Sequence, residues 1–235
     1  VVYEDWSNDM LHTETKKLFP DAIFLKQKHK NMGSGYARWQ TFSYIKKHAP
    51  PNDYIMVIDG DDTILDMSIN YVRTQLYESN PIFASGKHIG KFSEQCIQDL
   101  TLMYKPKHLA CHPRILKAGV LNIITEKTFK IGNKWLQKST DGAFFIPAVQ
   151  YAGSQTLYIP EPFYKYTSTN KVLQRFSTEL KKKNRNEVWG RPHVKPRKKI
   201  IHVFMCNHNR DLEPTLRHFA KTKTSWDVKI HICLA

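Results

Sequence analysis

The chain has 235 residues, enough to bury a sizeable core as one domain or as one domain with part of another. Its 41% hydrophobic and 24% charged residues are ordinary for a soluble globular protein. The formal net charge of +15 indicates an anionic partner, which could be nucleic acid, an acidic membrane surface or a phosphorylated small molecule. No apolar run of about 18 residues predicts a membrane span. The four cysteines form no CxxC pair, so the composition excludes a dense disulfide framework and predicts a soluble, cytoplasmic protein.

The predicted elements alternate between strands and helices. Residues 1–3 are strand-like and run directly into a turn cluster, so we expect a domain cut within its sheet. The elements expected next are a helix at about 10–18, a strand at 22–27, a glycine turn at 31–35, a helix at 36–49 before two prolines, and a strand at 54–59. This alternation predicts an α/β fold with a mainly parallel sheet flanked by helices.

Carboxylates cluster at the end of the strand YIMVID. Asp59, Asp61 and Asp62 fall within four positions, and Asp5 follows the first predicted strand. Ligands of parallel α/β sheets bind beyond the carboxyl ends of the strands. Carboxylates this close repel one another unless a proton or a cation is bound, and their oxygens suit a hard divalent cation. The alternative is a loop of solvated aspartates.

Two chemistries fit the motif VIDGDDT. A DxD motif, Asp59 to Asp61, would bind Mn²⁺ or Mg²⁺ bridging the diphosphate of a nucleotide sugar. A DxDxT motif of the haloacid dehalogenase type would make Asp59 a phosphatase nucleophile and Asp61 its acid/base. The surroundings favour the first, because strand and helix units precede the motif, no GDxxxD follows it, and Asn31, Gly33 and Arg38 have the spacing NxGxxxAR.

The order of four features resembles that of family 2 glycosyltransferases of the GT-A fold: Asp5 in YEDWSND, then NMGSGYAR, IDGDD and TDGAF. The resemblance covers residues 1–169. It implies a Rossmann-like GT-A domain, whose first strand would be missing here. It also implies a metal-dependent inverting glycosyltransferase of the hexosyltransferase type. The donor would be a nucleotide-diphospho-sugar, with a UDP-sugar favoured, and the acceptor a hydroxyl of a glycan or another molecule.

The resemblance also implies roles for individual residues. Asp5 would lie near the nucleobase, and the segment with Asn31, Gly33 and Arg38 would line the nucleotide pocket. Asp59 and Asp61 would contact the ribose and a Mn²⁺ or Mg²⁺ ion.

Asp141 would be the general base that takes a proton from the acceptor hydroxyl. The alternative role for Asp141 is a helix N-cap, because an apolar stretch follows it.

Other side chains are weaker candidates. His108, His112 and Arg114 lie in HLACHPRILKAG, and one of them, His112 being the metal-ligand candidate, could reach the metal or the diphosphate. Three aromatic residues could stack on a sugar or belong to the core: Trp135, Tyr164 and Tyr166.

Positive charge concentrates in residues 171–199, which we interpret as a basic linker after a glycosyltransferase domain at residues 1–170. This linker could also contact anionic lipid headgroups, and a basic nucleic-acid or membrane-surface binding module is the non-enzymatic alternative. No motif specifies nucleic acid. Residues 200–235 resemble the start of a second, truncated GT-A domain, which predicts tandem domains. The alternative is a permuted first domain.

Overall fold

The computed structural model describes residues 2–4, 17, 19–26, 32–59, 62–65, 68–90, 113–166, 178–197, 200–207 and 227–234. The chain divides into two compact units, residues 1–195 and residues 196–235. The predicted helix at 10–18 falls almost entirely outside the described residues. Within them, no helix combines the length and the apolar character needed to cross a bilayer.

The first unit contains short strands, four helices and two 3₁₀ turns among its described residues. The strands are β1 Val2–Glu4, β2 Phe24–Lys26, β3 Tyr54–Val57, β4 Thr63–Ile64, β5 Phe83–Ile89, β6 Arg114–Lys117, β7 Lys130–Ile131, β8 Lys134–Trp135 and β9 Thr156–Lys165. The helices are α1 Ser34–His48, α2 Ser68–Ser79, α3 Thr140–Ala152 and α4 Thr178–Trp189, and the 3₁₀ turns are Ala118–Asn122 and Glu126–Phe129. The predicted helix at 36–49 and the predicted strand at 54–59 are confirmed as α1 and β3, each within two residues.

The main sheet has five strands in the order β3-β6-β5-β9-β4. β6 runs antiparallel to both β3 and β5, β9 runs parallel to β5, and β4 runs antiparallel to β9. The sheet is therefore mixed, and the prediction of a mainly parallel sheet is wrong. The prediction extended the early alternation of strands and helices along the chain, whereas strands that pair antiparallel need no crossover helix between them.

Helices cover both faces of this sheet. Successive residues of β5 and β6 point to opposite faces: Phe83 and Leu116 enter one apolar cluster, and Ala84 and Ile115 enter the other. The larger cluster joins the sheet to α1 and α3 through fully or almost fully buried side chains, among them Phe42, Phe129, Phe144, Ala148 and Val149. The smaller cluster packs α2 against the opposite face through Val72 and Leu76.

The basic stretch predicted to be a linker contains helix α4. Val188 of this helix is buried in the larger apolar cluster, 3.4 Å from the position that a Cβ of Gly142 would take. Arg191 follows the helix and donates hydrogen bonds to the carbonyls of Thr128 and Lys130, the latter at 2.8 Å. Residues 178–195 are thus part of the first unit.

The second unit contains two strands among its described residues, β10 Ile200–Asn207 and β11 Asp227–Leu234. They pair in parallel over their full length, from Ile200 opposite Asp227 to Asn207 opposite Leu234. Both strands lie in the segment that the sequence predicts to begin a second domain. Whether they open a second GT-A domain or complete a permuted first one stays a prediction.

The start of α1 is fixed by a close backbone approach at Gly35. The Gly35 N–H donates to the Leu136 carbonyl at 2.8 Å. A Cβ at residue 35 would lie 2.7 Å from that oxygen and 2.9 Å from the Phe129 carbonyl oxygen. Both neighbours are backbone atoms, so only glycine fits here without displacing them.

We expect Gly35→Ala to lower the free energy of unfolding by about 1–3 kcal/mol, the usual cost of overpacking. Gly142→Ala is the matched control, because it adds the same methyl group to helix α3 where the nearest atoms are side chains at 3.4 and 3.7 Å. The control should be neutral, or should stabilise by up to about 1 kcal/mol through helix propensity. Urea unfolding followed by tryptophan fluorescence measures both, and equal effects of the two substitutions would contradict the close approach.

Candidate active site

Four charged side chains from four separate segments meet at one end of β3. Arg38 lies on α1, Asp59 follows β3, Arg114 begins β6 and Asp141 is the second residue of α3. One Arg38 nitrogen, Nη2, lies 3.4 Å from Asp59 Oδ1 and also contacts Asp141 Oδ1. Arg114 Nη1 lies 3.6 Å from Asp141 Oδ2. We call these four residues the Arg–Asp cluster.

Strand register explains why distant parts of the sequence meet here. β3 and β6 are antiparallel, and Val57 at the end of β3 is opposite Arg114 at the start of β6. The chain beyond β3 therefore passes the first residue of β6, and Asp59 is two residues farther on. α3 packs against this part of the sheet through Phe144, which brings Asp141 to the same end.

The two guanidinium groups lie against aromatic rings of α3. The Arg38 Cζ is 5.3 Å from the centre of the Phe144 ring, and the Arg114 Cζ is 4.9 Å from that of Phe145. Cations over ring faces at these distances gain electrostatic stabilisation. The two arginines differ in access, because the Arg114 side chain is 4% exposed and that of Arg38 is 18% exposed.

The carboxylates of the cluster are more accessible. The side chains of Asp59 and Asp141 are each 35% exposed, although the Asp141 Oδ1 atom, which contacts Arg38, is itself buried. Burial raises the pKa of Asp59 above its usual value, and the neighbouring Asp141 carboxylate raises it further, whereas Arg38 and Arg114 oppose the shift. Asp59 therefore lies where extra positive charge would be favourable.

Tyr164 anchors the loop that follows β3. Its side chain is fully buried on β9, its hydroxyl donates a hydrogen bond to Asp62 Oδ2, and it accepts one from the Asp59 N–H at 3.2 Å. Burial and the hydrogen bond to Asp62 both raise the pKa of Tyr164, so the hydroxyl remains a donor. The suggested stacking of Tyr164 on a sugar is wrong, because a fully buried ring offers no face to a ligand.

The other aromatic candidates have protein partners. The Trp135 ring packs edge-to-face on Tyr36 at 5.0 Å, with Lys130 Nζ 4.3 Å from its centre. The Tyr166 ring packs edge-to-face on His88 at 5.8 Å. Trp135 and Tyr166 are partly exposed, and contact of either with a sugar stays a prediction.

Three of the predicted site residues come together, and a fourth shapes the start of α1. Arg38, Asp59 and Asp141 belong to the Arg–Asp cluster, whereas Gly33 is the N-cap of α1 with φ +89°, a backbone conformation that favours glycine. The remaining predicted residues lie outside the described part of the chain: Asp5, Asn31, Asp61 and His112.

The N-cap alternative for Asp141 does not describe its position. The N-cap of α3 is Ser139, with φ 61°, and the helix begins at Thr140. Asp141 therefore lies inside the first turn, where a carboxylate interacts favourably with the helix dipole. Asp141 also contacts the guanidinium groups of Arg38 and Arg114, and a capping role alone would not require these contacts.

The donor set is chemically suited to a hard divalent cation but incomplete in the described residues. Asp59 and Asp62 supply carboxylate oxygens, the ligands that Mg²⁺ and Mn²⁺ prefer. Among the described residues, no three His, Cys, Asp or Glu side chains come close enough to form a metal site. Asp61 and His112 fall outside that part of the chain, so metal binding stays a prediction.

Sequence reasoning missed the roles of Tyr164 and Asp62 and considered Arg114 only as one of several residues near an apolar stretch. The Tyr164–Asp62 pair spans 102 residues of sequence, and no local pattern marks it. Arg114 is the first residue of β6, and the two residues that follow it are apolar and buried. A charged residue directly before a buried apolar pair is the one sequence signal that could have marked Arg114 as a site candidate.

The described residues form an α/β fold with helices on both faces of a mixed five-stranded sheet. The chain is similar to TarS of S. aureus, a GT-A-type glycosyltransferase. The structure of TarS 1–349 matches with a TM-score of 0.52 at 14% identity, covering 80% of this chain and 59% of that one.

Two further structures of TarS 1–349 are also similar. The complex with UDP-GlcNAc has a TM-score of 0.58 at 14% identity, covering 80% of this chain and 54% of that one. The complex with UDP has a TM-score of 0.53 at 15% identity, covering 80% and 59%. The chain thus spans between 54% and 59% of the length of these structures. No protein-family model and no curated protein match the sequence.

We expect Tyr164→Phe to lower the free energy of unfolding by about 1–3 kcal/mol, because the Asp59 N–H and the Asp62 carboxylate lose a buried partner. The control is Tyr158→Phe on the same strand, a half-buried tyrosine without a hydrogen bond to this loop in the described residues. Urea unfolding measures both. A Tyr164→Phe variant as stable as the control would show that the hydroxyl does not anchor the loop.

Proposed function

We propose that this protein is a divalent-cation-dependent inverting glycosyltransferase that uses a nucleotide-diphospho-sugar donor, with a UDP-sugar favoured, and transfers the sugar to a hydroxyl acceptor. The observation that carries the proposal is the meeting of Arg38, Asp59 and Asp141. Each belongs to a different motif of the family 2 resemblance, and the three come from segments more than 20 residues apart. The fold similarity to TarS, which has been crystallised with UDP-GlcNAc and with UDP, supports the same donor class.

The charge balance of the site supports a cation requirement. Among the described residues at this end of the sheet, two guanidinium groups face three carboxylates: Arg38 and Arg114 against Asp59, Asp62 and Asp141. A diphosphate adds further negative charge, so binding it here is favourable only with additional positive charge. A Mn²⁺ or Mg²⁺ ion held by Asp59 and Asp61 would supply that charge and offset the charge of the departing nucleoside diphosphate.

On the donor side, Arg38 is the cation best placed to bind a phosphate. Its guanidinium is partly exposed, and its planar group can bind two oxygens of a phosphate at once. Gly33 caps the same helix, and the Gln137 side chain fills the place that a Cβ would take at residue 33. The segment from Gly33 to Arg38 would line the donor pocket, with Arg38 as the group that contacts the diphosphate.

On the acceptor side, Asp141 would act as general base. Its accessible carboxylate would take the proton from the acceptor hydroxyl as the oxygen attacks the anomeric carbon. The bond from that carbon to the phosphate oxygen breaks in the same step, and the nucleoside diphosphate leaves from the opposite side. One base is sufficient for this displacement, which inverts the configuration of the sugar.

The proposal is tested by titrating the protein with UDP-GlcNAc by calorimetry, with Mn²⁺ or with EDTA, and by following UDP release. We expect binding and slow UDP release that require the cation. Hydrolysis of p-nitrophenyl phosphate, with no binding of UDP-GlcNAc, would instead indicate the phosphatase. If no nucleotide sugar from a panel of UDP, GDP and dTDP donors binds and neither reaction occurs, the enzymatic proposal is wrong.

Asp61→Asn is expected to abolish cation-dependent binding of UDP-GlcNAc while leaving the fold intact, because a carboxylate beyond a strand end contributes little to core packing. The control is Asp53→Asn, which changes an exposed aspartate just before β3, at the opposite end of the strand from the site. Calorimetry and circular dichroism check the two effects. Full Mn²⁺-dependent binding by Asp61→Asn would remove Asp61 from the metal site.

Asp141→Asn is expected to bind UDP-GlcNAc with a Kd no weaker than that of the wild type, because the amide competes less with the diphosphate for Arg38, and to release UDP about 10² times more slowly or worse, the usual scale for loss of a general base. The amide keeps the size of the side chain but accepts no proton. Initial rates of UDP release at saturating donor measure the loss. Unchanged rates would assign Asp141 a structural role only.

A further inference from the structure

Arg114 is a buried cation whose role the proposed reaction leaves unexplained. Its side chain is 4% exposed, and its Nε and Nη1 atoms make no hydrogen bond within the described residues. Burial lowers the pKa of Arg114, and the carboxylate of Asp141 is the main influence that opposes this shift. A buried cation is costly unless it has a charged partner, and Asp141 is that partner among the described residues.

The two arginines of the Arg–Asp cluster are not equivalent. Arg38 touches both Asp59 and Asp141 with the same nitrogen, and it is the more exposed of the two. Arg114 has one ion-pair partner among the described residues, Asp141. The Arg114 guanidinium also lies 6.0 Å from the Phe144 ring centre, in addition to its closer contact with Phe145.

Arg38 and Arg114 would respond differently to a bound donor. Arg38 Nη2 is shared between two carboxylates, so a diphosphate that binds Arg38 competes with Asp59 and Asp141 for the same donor group. Arg114 is enclosed by the sheet and by α3 and cannot turn toward a ligand to the same degree. When Arg38 binds phosphate oxygens, Arg114 is the cation that stays beside Asp141.

We propose that Arg114 is a positioning residue that holds the Asp141 carboxylate in its catalytic orientation while Arg38 exchanges that carboxylate for the diphosphate of the donor. The inference rests on the proposed function, because it assigns Asp141 the role of base. Arg114 suits the task because both residues are attached to rigid elements, β6 and α3, and the aromatic rings of α3 fix the plane of the guanidinium. A pre-positioned ion pair needs no reorganisation when the reaction begins.

The test compares Arg114→Met, Arg114→Lys and the control Lys117→Met. Lys117 is the other cation of β6, and its Nζ bonds Asn80 Oδ1 at 2.6 Å on the surface, so its loss should leave UDP release unchanged. Arg114→Met should lower kcat for UDP release from UDP-GlcNAc by about 10²-fold, the scale of a misplaced catalytic group, with KM nearly unchanged. Arg114→Lys should recover part of kcat because it restores the charge.

The double variant distinguishes a positioning role of Arg114 from a merely structural one. If Arg114 acts through Asp141, then Arg114→Met with Asp141→Asn should be no slower than Asp141→Asn alone. Multiplied losses in the double variant, or a higher KM with unchanged kcat, would overturn the proposal. The first outcome would mean independent action, and the second would place Arg114 on the donor.

Unfolding provides a readout that does not depend on activity. Arg114→Met leaves Asp141 without its buried partner, so it should lower the urea midpoint, and adding Asp141→Asn should cause less further loss than it does in the wild-type chain. Additive midpoints would overturn the ion pair itself. If the midpoints show coupling but the wild-type protein neither binds nor cleaves any nucleotide sugar, the proposed function fails while the pair stands. If Arg114→Met does not fold, Arg114→Lys takes its place in the same cycle.

Discussion

The pairing of Asp141 with two guanidinium groups is the interaction on which the geometry of the site depends. It joins α1, β6 and α3, three elements that are separated in sequence and that the apolar cluster around Phe144 packs together. Charged groups at the margin of a core are tolerated only when they are paired, so this arrangement constrains all three elements at once. Phe144 and Phe145 of α3 serve the core and the charges together, because both are buried in the larger apolar cluster and the two guanidinium groups lie near their rings.

A second constraint fixes the loop after β3. Tyr164 bonds both the backbone of Asp59 and the side chain of Asp62, so the positions of these two residues depend on the register of β9. β9 is in turn paired with β5 and with β4, which follows the loop directly. Asp59 and Asp62 are therefore both held by the sheet beneath them. A site of this kind can keep several carboxylates close together without relying on the ligand to order them.

The charge balance of the site differs from the net charge of the chain. The formal charge of +15 indicated an anionic partner, but the described part of the site has at least as many carboxylates as guanidinium groups. Much of the described positive charge lies elsewhere, for example at Lys181, Lys182 and Lys183 on α4. The net charge of the chain therefore does not indicate where an anion would bind. The local balance is the more specific guide to the chemistry.

The sequence by itself determined the local elements and the candidate motifs of the site. Prolines and apolar periodicity placed α1 and β3, and the motifs NMGSGYAR, IDGDD and TDGAF selected Arg38, Asp59 and Asp141, which the fold brings together. These signals are local, because they depend on residue type and on spacing within one element. They could not reveal that β6 reverses direction, that residues 178–189 form a helix packed on the core, or that Tyr164 and Arg114 hold the carboxylates. Strand direction and contacts between residues that are distant in sequence are decided by which apolar faces pack together, and that is a property of the tertiary structure alone.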